Sequence, residues 1–136
     1  MISVVVIIVF CRQRSKAMVS IDEAFQLLAR FKLSSSRLRI SLSSEPDSAG
    51  NSCAVKFEME GRVTGGNDKL REVVFERDDA CITLNLCECR FEIVPPNNAS
   101  CSPPFKATDF NVILRITFPS GGTCEVWEFA GTPRAK

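Results

Sequence analysis

The chain changes its hydrophobic period once. Over residues 20–32, Ile21, Ala24, Phe25, Leu28 and Phe31 recur at helical spacing, with Leu27 widening the stripe. Ser20 and Glu23 stand three apart at its start, the form of a capping box. Asp22 and Glu23 lie at the positive end of the helix dipole, Arg30 and Lys32 at the negative end. The spacing predicts a helix over 21–32 that stops in the serine run 34–36.

Beyond it the period is two. In 37–44, Leu38, Ile40 and Leu42 alternate with Arg37, Arg39, Ser41 and Ser43. A loop with Pro46, Asp47 and Gly50 follows. In 53–63, Cys53, Val55, Phe57, Met59 and Val63 alternate with Lys56, Glu58, Glu60 and Arg62, and Gly61 interrupts the inner face. Such alternation predicts an antiparallel sheet with one wet face. Gly65, Gly66, Asn67 and Asp68 read as a turn, 70–77 as a third strand with Val73, Val74 and Phe75, and 77–79 as a further turn.

From Cys81 to Val94 the pattern reads as one long fourth strand whose phase slips, and a bulge near Cys87 would restore it. Residues 95–109 form a loop rich in Pro, Asn and Ser, and two last strands, 110–118 and 123–130, flank Pro119 to Gly122. Phe110, Val112, Leu114, Ile116 and Phe118, with Trp127 and Phe129 opposite, make one face of this hairpin. Ile113, Cys124, Val126 and Ala130 make a second apolar face. The expected fold is α+β: an N-terminal amphipathic helix, then a five- to six-stranded antiparallel, strongly bent sheet, a small barrel or half-barrel.

The first stretch is different in kind. Residues 2–10 are almost wholly apolar, too few to span a bilayer as a helix. Arg12, Arg14 and Lys16 follow this stretch, where a secretory signal would carry its charge in front. Three readings stand: a non-native extension with translation starting at Met18, a β-rich strand or short anchor, and a degenerate signal. The organisation expected is an extension over 1–17, one soluble helix-plus-β domain over 18–131, and a tail over 132–136, with no transmembrane segment.

Composition narrows the chemistry. The 136 residues contain no histidine and no tyrosine, and 17 basic against 16 acidic side chains leave a charge of +1. Without histidine, serine and cysteine triads, histidine bases and mixed histidine–carboxylate metal sites all drop out. This leans against an enzyme. Seven cysteines, an odd number without regular spacing, read as packed free thiols in a reducing, cytoplasmic compartment.

Cys87-Glu88-Cys89 is the one metal-like motif, since residues two apart on a strand share a face. A tetrahedral site would need two more ligands, such as Cys81 with Cys101 or Asp109. Core packing accounts for it better, so no metal and no cofactor is expected. Asp68, Asp78 and Asp79 read as turn residues, and Asn98-Ala99-Ser100 matches a glycosylation acceptor that matters only in a secreted chain.

Arg37, Arg39, Lys56 and Arg62 form a basic stripe, but pairing the first two strands with Leu38 opposite Met59 and Ile40 opposite Phe57 sets Arg37 beside Glu60 and Arg39 beside Glu58. Nucleic acid is therefore not the expected partner. The surplus apolarity of the last hairpin points to helix docking or to an interface through Ile113, Cys124, Val126, Trp127 and Phe129.

In element order, residues 20–130 resemble the small Sm-like and SH3-like barrels and, in outline, the PilZ barrels that bind cyclic dinucleotides. The arginine-rich lead and the Asp-x-Ser-x-x-Gly strand of PilZ barrels are not found, so that activity does not carry over. The leading expectation is a non-catalytic protein-binding or assembly module, with self-association included. The alternatives are a small-ligand or metal-binding barrel using cysteines and carboxylates, and a weak RNA-binding barrel.

Overall fold

A computed structural model describes residues 17–44, 56–67, 69–98 and 105–131. The readings of the extension before residue 17, of the tail over 132–136, and of Pro46, Asp47, Gly50, Cys53, Val55, Asp68 and Cys101 lie outside the described residues.

The helix α1 spans Ile21–Leu33, one residue beyond its predicted end. Both halves of the capping box form: the Glu23 backbone N–H donates to Ser20 Oγ at 3.1 Å, and the Ser20 N–H donates to Glu23 Oε1 at 2.8 Å. Ala24, Leu28 and Phe31 are its buried residues. A short strand precedes it, β1 at Ala17–Val19.

Seven more strands follow: β2 at Leu38–Ser43, β3 at Lys56–Asn67, β4 at Glu72–Arg77, β5 at Ala80–Asn85, β6 at Arg90–Val94, β7 at Phe110–Thr117 and β8 at Thr123–Phe129. They form one antiparallel sheet in the order β1-β6-β7-β8-β2-β3-β4-β5. The α+β class stands. Among the described residues there are eight strands rather than five or six, and their sheet does not close into a barrel, because β1 and β5 remain at its two ends.

Curvature follows from connectivity. β5 and β6 are six positions apart in the sheet, about 29 Å if it were flat at about 4.8 Å per strand. The link between them is residues 86–89, and such a link with its flanking steps reaches about 17 Å at most. The sheet must therefore curl, and α1 lies inside the curl against β3 and β6.

Four local expectations are corrected. Residues 81–94 are two strands, and β5 pairs with β4 while β6 pairs with β1 and β7. The slip at Cys87 is the place where the chain crosses the sheet opening, not a bulge. Gly65 and Gly66 do not turn; β3 runs through them after a bulge at Thr64. The β2–β3 register is Leu38 opposite Gly61 and Ile40 opposite Met59, two residues from the expected alignment. A slip of two keeps every side chain on its face, so alternation alone cannot detect it.

The fourth correction concerns the last hairpin. The register shifts between Phe110 and Val112, so Asn111 is the extra residue and Phe110 falls on the face of Ile113, Trp127 and Phe129. Val112, Leu114, Ile116, Cys124 and Val126 pack on the helix side. The structure thus sorts the apolar residues of this hairpin into a different pair of faces.

Candidate functional site

The residues singled out from sequence are brought to two places. Cys124 and Val126 are fully buried beneath α1, in the core shared with Leu28, Phe31, Leu38, Ile40 and Phe91. Burial first, then Glu125 and Cys89, pushes the Cys124 thiol up to about 12, so it stays protonated at neutral pH. Ile113, Trp127 and Phe129 lie on the opposite face, in a cluster with Val94 and Phe110.

That outer cluster is roofed by the protein itself. Phe105, from the loop ahead of β7, places its ring 5.7 Å from both Phe110 and Phe129. Phe110 meets Trp127 edge-on at 4.8 Å. Arg37 lies over the Phe129 ring at 4.1 Å and Arg39 over Phe105 at 4.9 Å. Trp127 donates its indole N–H to Glu125 at 3.0 Å, and Arg115 donates to the same carboxylate at 2.9 Å. Trp127 and Phe129 retain 7% and 6% of their exposure. All five residues expected at an interface are therefore buried within the chain, and the hairpin presents no free apolar face.

One buried carboxylate escaped the sequence reading. Glu128 is 3% exposed and accepts from Ser36 Oγ at 2.6 Å and from Arg30 at 3.1 Å. Arg30 is half exposed, so the pair ties the end of α1 to β8 without isolating a charge. Its parity within β8 was the available signal: Glu128 sits in phase with Cys124 and Val126.

The cysteine motif is a turn. Glu88 has φ +61°, and the turn is anchored by Leu86 N–H donating to Arg71 O at 2.7 Å and by Cys87 N–H donating to Asn85 Oδ1 at 2.9 Å. Cys87 is exposed and Cys89 half-buried, so the two do not share a strand face. Burial, then Cys87, raises the Cys89 thiol. Among the described residues no three of Cys, Asp and Glu converge as a metal site would require.

Charge is locally balanced on the outer face. Arg37 reaches Glu60 at 3.1 Å and Arg39 reaches Glu58 at 2.7 Å. These are the partners expected from sequence, met diagonally because the register differs. A shallow saddle of about 910 Å³ beside them is lined by Arg37, Arg62 and Arg77 and by Glu60, Glu76 and Asp78, equal numbers of each sign. No described helix is long and apolar enough to cross a membrane.

No family model, curated protein or solved structure matches this chain.

What the fold leaves open is an edge. Among the described residues β5 pairs with β4 alone, and on its other side the Asn85 carbonyl accepts from the Cys89 thiol at 4.0 Å. Its sequence, Ala-Cys-Ile-Thr-Leu-Asn, contains neither charge nor proline. Ile82 and Leu84 are half-buried against the core, while Cys81, Thr83 and Asn85 are exposed. Natural sheets blunt such edges with lysine, proline or a bulge, and β5 has none of these. Sequence periodicity finds the strand but not its position in the sheet.

Proposed function

We propose that this chain is a non-catalytic protein-binding or assembly module whose docking element is the free edge of β5. The supporting observation is that uncharged, unbulged strand, which among the described residues pairs with β4 alone. Its occupant is an extended polypeptide segment that adds a strand, with main-chain hydrogen bonds giving affinity and alternate side chains giving selectivity. Ile82 and Leu84, half-buried, ask for apolar residues opposite them. The C-terminal hairpin is not the docking surface in this reading, since its apolar side chains are enclosed. Exposed Cys81 and Cys87 beside the edge suit a reducing, cytoplasmic setting.

The test is amide-resolved NMR of the full chain titrated with short peptides of alternating β-branched and polar residues, the 80–86 sequence among them. The expected result is saturable shifts centred on the amides of β5. Shifts confined to other strands, or none with any peptide, overturn the proposal. No observation on the structure favours the ligand-barrel or RNA readings over this one.

A further inference from the structure

We propose that Cys87 and Cys89 form a dithiol–disulfide redox site in the turn between β5 and β6, oxidised by a low-molecular-weight disulfide such as oxidised glutathione. This goes beyond edge docking and stands without it. Leu86 to Cys89 is a hydrogen-bonded turn, closed by the Cys89 N–H donating to Leu86 O at 3.3 Å. Glu88, its third residue, has φ +61°, a conformation that glycine or asparagine ordinarily supplies. A left-handed residue brings the Cα atoms on its two sides to about 5.4 Å by helical geometry, against about 6.6 Å on an extended strand. The shorter separation lies well inside the window of about 4.4–6.8 Å that disulfides span. The bend that takes the pair off a common strand face therefore brings its backbone within bonding range.

Exposure divides the roles. Cys87 is exposed and meets a reagent from solution, while Cys89 is half-buried next to it. The two are close enough that Cys87 adds to the rise in the Cys89 thiol that burial causes first. The Cys89 thiol donates to Asn85 O at 4.0 Å, a long contact that is given up easily. In the first exchange the Cys87 thiolate attacks one sulfur of the reagent, and a mixed disulfide forms as one thiol leaves. Cys89 then loses its proton, attacks Cys87 Sγ and releases the second thiol. The protein gives up two electrons and two protons, and the reagent departs as two thiols. The turn is also tied to its surroundings: Leu86 N–H donates to Arg71 O at 2.7 Å, and Arg71 reaches Asp22 of α1 at 3.7 Å.

The test is incubation of the folded full chain with oxidised glutathione, then digestion without reduction and mapping by mass. The fragment 78–90, released by cleavage after Arg77 and Arg90, contains Cys81, Cys87 and Cys89. It is expected to lose two hydrogens, and to do so equally in a Cys81→Ser background. Cys89→Ser should stop at the mixed disulfide on Cys87, and Cys87→Ser should leave Cys89 reduced. Unchanged thermal midpoints would show that both serine variants fold. Glu88→Gly keeps the left-handed turn and should cross-link at least as fast as the native chain. Glu88→Pro, with φ fixed at about −65°, should slow cross-linking by roughly tenfold or more. A native chain that leaves both thiols reduced, stops at the mixed disulfide, or joins Cys87 to a cysteine other than Cys89 overturns the site. So does cross-linking that ignores the Gly and Pro variants alike.

Discussion

Two hairpins of this sheet carry comparable apolar content to opposite ends. The β7–β8 hairpin lies inside the sheet, with β6 on one side and β2 on the other. Its inner face is covered by α1 and its outer face by Phe105, Arg37 and Arg39. The β4–β5 hairpin is covered on one face, and its last strand ends the sheet. Two-sided apolarity, which in sequence marks β7–β8 as a contact surface, is there used up internally. The less conspicuous strand, β5, pairs with β4 alone among the described residues. Surface available to others is set by topology as much as by side chains.

The largest contrast should be in stability. Trp127→Ala removes the centre of the outer aromatic cluster and should cost about 3–5 kcal/mol. Ile82→Ala on β5, already half-exposed, should cost about 1 kcal/mol. Urea unfolding of both variants measures the difference, and similar costs would break the comparison.

Thiol chemistry should divide the same way. Cys81 and Cys87 are exposed and Cys124 is buried. Alkylation of the folded chain at mildly alkaline pH should label the first two and spare Cys124 until the chain unfolds. Burial lifts Cys124 from 9.0 to about 12, so the unfolded chain loses this proton first as pH rises. The contribution of Cys124 is therefore whole below about pH 9 and is lost as pH climbs towards 12. A melting profile that is flat across that window, with Cys124 labelled as fast as Cys81, would contradict its enclosure.

Within β3 the two regimes lie four residues apart. A Cβ added at Gly61 would meet the Glu76 carbonyl oxygen at 2.5 Å, a backbone atom that cannot swing away. At Gly65 it would meet nothing within 4 Å. Gly61→Ala should therefore cost about 1–3 kcal/mol, and Gly65→Ala should be neutral or stabilise by up to about 1 kcal/mol. Equal losses at both positions would mean that β4 does not press on β3 at the bend.

These contrasts also mark what the sequence could tell. Helix α1 was legible because its cap, charges and stripe agree, and local features determine all three. Faces were legible in β2 and within β8 because alternation fixes parity. Anything that depends on partner identity was not. The phase slip at Cys87 is compatible with a bulge or with a change of neighbours, and the chain changes neighbours. Three residues of β1 are too short to show a period, and Phe105 is a lone aromatic in an aperiodic loop. The place of β5 at the end of the sheet is the extreme case, since its side chains carry no signature of that position. The cysteine pair and the hairpin, both conspicuous in sequence, turned out to be a turn and an enclosed core.

The smallest effect tests the seam between the two regions. Arg39 stands directly opposite Glu60 in the ladder, yet its guanidinium bonds Glu58 at 2.7 Å, diagonally, while also covering Phe105. A double-mutant cycle of Arg39→Met with Glu58→Gln should give a coupling of about 0.2–1 kcal/mol. The same cycle with Glu60→Gln should give less, because Glu60 is engaged by Arg37 at 3.1 Å. Both couplings should fall as salt is added, since every carboxylate involved is partly solvated. A stronger coupling to Glu60 than to Glu58 would favour the purely lateral pairing of the ladder. It would also loosen the arginine roof over Phe105, and with it the reason β7–β8 is closed while β5 is open.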